Sequence, residues 1–174
     1  MDQLDPAAAR AASREKIGHH GTFNANPLCA AAAVATLQIV ETSDACAHAE
    51  ASAAAIRDGM RRILIEESVP WGIYGEASAF VIFPNPGGVA IDPATFDPLA
   101  LGFPGIKGAR DPNLINKLRV ALLANGVDIM GGPGGLVSAT HGPAEVAQTL
   151  EAFRTALGWL KAEGDIKSRQ VRAA

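Results

Sequence analysis

Residues 18–41, GHHGTFNANPLCAAAAVATLQIVE, join a polar loop to an alanine-rich segment. Asn26 followed by Pro27 is a typical helix start, because asparagine caps free backbone N–H groups and the proline ring fits the first helical position. Leu28 and Ile39 lie on one side of the expected helix, with small alanines between them that let a neighbouring backbone approach closely. The stretch therefore predicts a turn that leads into an apolar helix.

The loop before this helix allows two interpretations on its local chemistry. Gly21 and Thr22 offer a free backbone N–H and a hydroxyl, a common way to hold a phosphate oxygen, and Asn26 ahead of a helix adds oriented donors. The other interpretation is a plain helix start with polar caps. The loop is not a Walker loop, since it lacks the lysine that such a loop needs.

Composition indicates a globular protein with a surface for another chain. The 174 residues suit one domain, or one domain with an arm, and 48% of them are apolar, which suffices for a core. Much of that apolar content is alanine, which buries little area, so we expect part of the surface to pack against another chain or domain. Cys29 and Cys46 lie in helical alanine-rich segments and are expected to be small buried residues.

Charge and hydropathy argue against several classes of partner. The formal net charge is -3 and no basic run occurs, so nucleic acid is not an expected partner. The N-terminus MDQLDPAAARAAS lacks the apolar core of a signal peptide, and no apolar run reaches the roughly 18 residues of a membrane span. We therefore expect a cytoplasmic protein that binds no membrane.

The chain alternates helical and strand patterns around one long loop. Residues 84–111 are rich in proline and glycine, and loops of this length are usually functional or mobile. The order of the elements predicts an α+β sandwich, a small sheet covered by helices. Expected helices lie at about 5–15, 27–41, 44–67, 112–125 and 143–163, and expected strands lie in WGIYG, ASAFVIFP, VDIM and LVSAT.

Histidine placement argues against a metal site. His19 and His20 are adjacent and point in different directions, whereas a metal needs several ligands on one face. His20 is instead a candidate for lining a ligand pocket. His141 suits either a helix cap or a pocket, and Glu76, between two expected strands, is either exposed or pocket-lining.

Nucleophilic chemistry has little support in the sequence. Ser138 and His141 are spaced as a nucleophile and its base could be, but no Gly-x-Ser-x-Gly elbow is present. None of the five lysines follows a strand in a buried apolar context, the setting that activates a lysine amine.

Four segments resemble, in the same order, parts of one enzyme family. They are GTFNANPLCAAAAVATLQIVE, MRRILIEESVPWGIYGEASAFVIF, LRVALLANGVDIM and GLVSATHGPAEVAQTLEAFRTAL. The family is the class III, fold-type I pyridoxal-phosphate (PLP) aminotransferases, and the branch that the sequence resembles most is glutamate-1-semialdehyde 2,1-aminomutase. The resemblance implies an N-terminal arm with the cofactor-phosphate loop at 1–41, the small C-terminal domain of the PLP-dependent transferase fold at 42–163, and a tail at 164–174.

The resemblance also implies residue roles. In this family the threonine that matches Thr22 binds the PLP phosphate of the neighbouring subunit in a dimer, with Gly21 beside it. His20, Asn24 and Glu76 are weaker candidates for the substrate pocket.

The sequence departs from the family at its main catalytic residues. Family members carry the Schiff-base lysine on a large domain ahead of this segment, and the five lysines here match none of that motif. Many relatives also carry a substrate-carboxylate arginine, where this chain has IMGGPGGLVS. The missing arginine fits the aminomutase-like branch or a loss of function.

Two hypotheses follow. The first is the C-terminal part of a PLP-dependent aminotransferase or aminomutase, which catalyses amino-group transfer or a 1,2-amino shift only with a chain that carries the large domain. The second is a non-catalytic interaction or dimerisation domain derived from that family, which binds partners through its apolar alanine faces.

Overall fold

The computed structural model describes residues 5–13, 21–108 and 111–166, without the side chains of Pro6 and Gly108. By its internal contacts the chain divides into two compact units, Met1–Ser43 and Asp44–Ala174.

The described residues of the first unit, 5–13 and 21–43, contain two helices that start at capped prolines. Helix α1 spans Pro6–Ala11, and the Asp5 carboxylate accepts a hydrogen bond of 2.8 Å from the backbone N–H of Ala7. It is shorter than the expected 5–15, and residues 14–20 lie outside the described residues. Helix α2 spans Pro27–Thr42 and buries none of its side chains.

The second unit is a small sheet covered by helices, as expected. Its three strands pair antiparallel in the order β1-β2-β3, with Ile73 opposite Ile82 and Phe80 opposite Gly135. In chain order the elements are α3 Ala45–Glu66, β1 Gly72–Tyr74, β2 Ala79–Phe83, α4 Pro98–Phe103, a π-helical turn Pro104–Gly108, α5 Pro112–Ala124, β3 Gly134–Leu136 and α6 Pro143–Ala162.

The prediction of a strand in VDIM, at 127–130, is wrong. The backbone N–H of Val127 donates to Leu122 at the end of α5, and the Ile129 carbonyl accepts from the Arg119 side chain, so these groups are not free to pair with a strand. Val127 and Ile129 nevertheless pack in the core, which accounts for the alternating pattern. Within this segment Met130 alone forms a bridge, with Gly134.

The third strand begins earlier than expected, inside the glycine-rich turn. It spans Gly134–Leu136, whereas LVSAT at 136–140 was the expected strand. A side chain at Gly134 would put its Cβ 2.4 Å from the backbone oxygen of Phe80. Glycine therefore lets β3 come close enough to β2 to pair with it.

The core lies between one face of the sheet and helices α3, α5 and α6. Burial of these side chains removes apolar surface from water, which stabilises the folded state by about 25 cal/mol for each Å² buried. The largest fully buried side chains are Phe153, Met60, Leu64, Ile73, Ile82, Leu118, Leu122, Leu157 and Val69.

The long loop covers part of the opposite face of the sheet. Phe96 stacks on Phe83 with 5.6 Å between ring centroids and 7° between planes. A Cβ at Gly72 would lie 2.3 Å from the Phe96 ring, so the glycine makes room for it. Asn85 fixes the start of the loop, because its side chain bonds to Pro70 and to both backbone groups of Val89.

Both cysteines are exposed, so the expectation that they are buried is wrong. Cys29 lies on α2, which buries no side chain, and Cys46 lies in the first turn of α3.

An ion-pair network ties the end of α3 to α6. Lys161 Nζ donates to the Glu67 backbone oxygen at 2.6 Å and to its carboxylate at 2.7 Å. Arg154 pairs with Glu66 and, at 3.3 Å, with Glu67. The hydrogen bond from Lys161 lowers the pKa of Glu67.

We predict that Phe153→Ala destabilises the fold strongly and Leu99→Ala does not. The Phe153 side chain is 0% exposed, and replacing such a core phenylalanine costs about 3–5 kcal/mol in the free energy of unfolding. Leu99 is 86% exposed, so its truncation should change that free energy by less than about 0.5 kcal/mol. Urea unfolding followed by circular dichroism measures both. Equal losses in the two variants would contradict the assigned core.

We predict that Glu67→Gln removes a stability contribution that depends on pH. Because folding lowers the pKa of Glu67 from its ordinary value of 4.5, the contribution is present above pH 4.5 and is lost as the pH falls through the folded-state pKa. The difference in unfolding free energy between the parent protein and Glu67→Gln should therefore be constant near pH 7 and shrink in acid. Glu50→Gln, an exposed position on α3, is the control. A difference that does not vary with pH would contradict the prediction.

Candidate functional site

The loop before α2 is a compact turn. Residues 22–25 form the turn, the Asn24 N–H donates to the Gly21 oxygen at 3.3 Å, and the Asn26 N–H donates to the Phe23 oxygen at 3.1 Å. Ala25 has a φ of 62°, a left-handed conformation that is uncommon for a residue with a side chain. A Cβ at Gly21 would lie 2.4 Å from Asn24 Oδ1, so glycine allows the Asn24 side chain to fold back over the turn.

The Asn26 side chain caps α2 by accepting hydrogen bonds from two backbone N–H groups at the start of the helix. Its Oδ1 accepts from the backbone N–H groups of Leu28 at 3.0 Å and Cys29 at 3.2 Å. These N–H groups are the oriented donors that a helix start could offer to an anion. Gly21 and Thr22 are both exposed, so a phosphate contact here would rest on the turn and not on the capped N–H groups.

The candidate residues divide between the two units. Gly21, Thr22 and Asn24 lie together in the turn of the first unit, and His20 lies outside the described residues. Glu76 belongs to the second unit, where it is exposed in the hairpin between β1 and β2 and its backbone oxygen accepts from Ala79 at 2.9 Å.

Arg57 holds this hairpin and was missed by sequence reasoning. From α3 its Nη1 donates to the backbone oxygens of Ala77 at 2.9 Å and Ala79 at 2.7 Å, on either side of the tip that carries Glu76. The sequence shows that no acidic residue lies three or four positions from Arg57 to pair with it along the helix, but it does not indicate these carbonyl partners.

Ser138, Thr140 and His141 form an exposed polar cluster ahead of α6. His141 Nδ1 accepts from the Ser138 backbone N–H at 3.1 Å and lies 2.9 Å from Ser138 Oγ, which is 2.8 Å from the Thr140 hydroxyl. The backbone contact assigns Nδ1 as an acceptor, and the His141 backbone oxygen accepts from Ser52 at 2.7 Å. The ring thus ties the turn together, but it does not cap α6, so the expected alternative of a helix cap at His141 is wrong.

The helix cap itself is formed by the next residues. Gly142 is the N-cap of α6, and its N–H donates to the Glu145 carboxylate at 2.8 Å. Hydrogen bonds from the backbone N–H groups of Glu145 and Gly142 lower the pKa of Glu145.

Two of the three described lysines are held by carboxylates. Lys117 contacts Asp165 at 2.7 Å and Glu163 at 3.0 Å, and Lys161 contacts Glu67 at 2.7 Å. The hydrogen bond to Asp165 raises the pKa of Lys117, whereas a lysine that forms a Schiff base needs a lowered one. Neither lysine is therefore arranged as a nucleophile.

In the described part of the chain, neither a metal-ligand cluster nor a membrane-spanning helix is found. Residues 5–13, 21–108 and 111–166 contain no group of three or more His, Cys, Asp or Glu side chains that could hold a metal ion. Within the same ranges, every helix is too short or too polar to cross a bilayer.

The fold is that of solved transaminase structures. A transaminase with PLP bound matches 95% of this chain with 27% identity and a TM-score of 0.66. An omega-transaminase from Sphaerobacter thermophilus matches 91% with 24% identity and a TM-score of 0.65. The FumI protein of Sphingopyxis sp. MTA144, in its PLP internal aldimine form, matches 94% with 23% identity and a TM-score of 0.60.

The match covers only part of those proteins. The chain spans about a third of their length, between 33% and 34%. Its helices and three-stranded antiparallel sheet correspond to the C-terminal part of the PLP-transferase fold, which confirms the expected fold class. No protein-family model and no curated protein sequence matches the chain.

We predict that Asn26→Ala frays the start of α2. The variant loses the acceptor for the N–H groups of Leu28 and Cys29, which costs about 1 kcal/mol of helix stability. Backbone chemical shifts should show reduced helicity over the first turn. Asn26→Asp keeps an acceptor and should preserve it. Unchanged shifts in Asn26→Ala would contradict the cap.

Proposed function

We propose that the chain is the C-terminal part of a class III PLP-dependent aminotransferase or aminomutase. The observation that carries the proposal is the match to a transaminase with PLP bound, at 27% identity over 95% of this chain. The chain acts in amino-group transfer or in a 1,2-amino shift, and it does so together with a chain or domain that carries the rest of the fold. PLP, when bound to that assembly, supplies the electron sink for the chemistry.

Thr22 binds the PLP phosphate in this proposal. Its exposed hydroxyl and the backbone of Gly21 are the donors that the turn offers, since the Asn26 cap already uses two N–H groups of α2. The turn therefore orients the cofactor and performs no proton transfer. Asn24, folded over the turn, and His20 are weaker candidates for the substrate pocket, as is Glu76.

The Schiff-base lysine comes from the partner in this proposal. Lys117 and Lys161 are engaged by carboxylates, and Lys107 lies exposed on the π-helical turn. None of these three has the buried apolar setting that activates a lysine amine. The large domain would supply that lysine.

Helix α2 supports a partner for the chain. All of its side chains are exposed, including Leu28 at 79% and Leu37 at 66%, and its sole charged residue is Glu41. We propose that a second subunit or a large domain covers this surface. The exposed surface of α2 also favours the alternative function, a non-catalytic interaction or dimerisation domain. A measurement of PLP binding therefore has to distinguish the two functions.

We predict that Thr22→Ala weakens PLP binding in the completed assembly. The chain is co-expressed with the large domain of a matched transaminase, and the complex is titrated with PLP by absorbance. A hydrogen bond to a charged group contributes about 1.5–3 kcal/mol, so the affinity should fall at least about tenfold. Thr22→Ser keeps the hydroxyl and should bind PLP like the parent protein.

Thr149→Ala is a matched control, because the Thr149 hydroxyl already bonds to the Glu145 oxygen within α6 at 2.7 Å. Equal PLP affinity in Thr22→Ala and the parent protein would contradict the phosphate role. The chain is also treated with PLP and borohydride on its own, and stoichiometric labelling of one lysine would contradict the need for a partner lysine. Association that does not depend on PLP, with no PLP bound, would favour the interaction domain.

A further inference from the structure

A single Asn-Gly pair, Asn125-Gly126, follows α5, and Asn125 is the C-cap of that helix. Asparagine is a thermolabile residue, because the next backbone nitrogen can attack its side-chain carbonyl and expel the amide as ammonia. A following glycine has no Cβ and leaves that nitrogen open to react. All other asparagines of the chain precede alanine, proline, leucine or lysine, so the reaction meets least hindrance at Asn125.

Both reacting groups of this pair are engaged in hydrogen bonds in the fold. Asn125 Nδ2 donates to the Ala121 oxygen at 2.8 Å, and the Gly126 N–H donates to the Leu123 oxygen at 3.0 Å. With a ψ of 20° at Asn125, the Gly126 nitrogen is turned back toward the last turn of the helix. That nitrogen must give up its hydrogen bond, lose its proton and rotate before it can reach the side-chain carbon of Asn125.

The neighbouring residues keep the pair in this conformation. Gly126 has a φ of 81°, the left-handed conformation that commonly ends a helix. The N–H of Val127 then donates to the Leu122 oxygen at 3.0 Å, and both of these side chains pack in the core. The last turn of α5 therefore has to open before the attack can occur. Local opening of this kind costs less free energy than unfolding the whole unit.

We propose that Asn125 is a deamidation site whose reactivity is controlled by opening of the last turn of α5. In the open form the Gly126 nitrogen loses its proton to hydroxide and forms a bond to Asn125 Cγ, and the amide nitrogen takes a proton from water and leaves as ammonia. Water then opens the succinimide ring and gives aspartate or isoaspartate. The reaction needs no oxidant or cofactor, and the site does not depend on PLP or on the turn that contains Thr22.

Deamidation changes the end of α5 in a way that favours further opening. The new carboxylate has no N–H to donate to the Ala121 oxygen. It also places a negative charge at the C-terminal end of a helix, where the free carbonyl groups already carry partial negative charge. The closed turn is therefore less stable after the reaction than before it, and the change in charge is permanent.

The first test compares the folded and the unfolded chain. The purified 174-residue chain is incubated at mildly alkaline pH with and without guanidinium chloride, and deamidation at each asparagine is measured by peptide mapping with mass spectrometry. Because two hydrogen bonds must break first, Asn125 should react at least about tenfold more slowly in the folded chain. In guanidinium chloride it should react faster than Asn113 and Asn116, which precede leucine and lysine.

Two variants test the opening step, after circular dichroism has shown that both are folded. Val127→Ala removes core packing next to Gly126 and should speed the reaction in the folded chain by roughly threefold or more, with no change in guanidinium chloride. Val120→Ala is the control, because Val120 is exposed on the same helix, and it should leave both rates unchanged.

A third variant tests the consequence of the reaction. Asn125→Asp reproduces one product and should lower the Tm by about 2–4 °C, because it loses the hydrogen bond to Ala121 and adds charge at the helix end. Asn116→Asp adds the same charge at an exposed position within α5 and should change the Tm less.

Four results would overturn the proposal. They are equal rates at Asn125 in the folded and the unfolded chain, a folded-state rate that Val127→Ala leaves unchanged, faster reaction at Asn113 or Asn116 in guanidinium chloride, and an Asn125→Asp variant as stable as the parent protein. Because PLP is absent from these experiments, such results would leave the proposed transaminase function unaffected.

Discussion

The second unit depends on burying one face of a three-stranded sheet beneath α3, α5 and α6. Phe153 and Leu157 on α6 meet Met60 and Leu64 on α3 in this core, all with little or no exposure to solvent. A three-stranded sheet has few strands to share its hydrogen bonds, and such small sheets need a packed face to be stable. The hairpin that carries Glu76 is held on this packed layer by Arg57 of α3.

The close pairing of β3 adds a second constraint. Because Gly134 has no side chain, its backbone approaches Phe80, and the Ile82 N–H donates to the Pro133 oxygen at 2.7 Å. The strand that completes the sheet is thus built from residues with low strand propensity. Backbone contact, and not side-chain packing, defines this edge of the sheet.

Sequence reasoning succeeded where a pattern reports on packing and failed where a backbone group has another partner. The order of helical and strand patterns predicted a small sheet covered by helices, and Asn26-Pro27 predicted the start of α2. The apolar residues at 127–130 pack in the core, which produced the strand-like pattern. The strand itself is absent because the Val127 N–H bonds to the end of α5. No local pattern reveals such competition.

The residues of the candidate site were also only partly predictable from the sequence. A short motif predicted Gly21 and Thr22 as phosphate-binding residues, and this proposed role depends on a partner chain or domain. Arg57 was missed because its hydrogen bonds go to carbonyl groups about twenty residues away, and carbonyl groups have no residue-type signature.

If a partner covers α2, as proposed, the stability of this helix depends on the concentration of that partner. A 16-residue helix that buries no side chain is marginal in water, since most helical stability in proteins comes from packing. A partner that binds the folded helix but not the unfolded one adds stability that grows with the logarithm of its concentration. The amount of folded α2 in a cell would then report how much partner is present, and excess chain without a partner would be the form that proteases cut first.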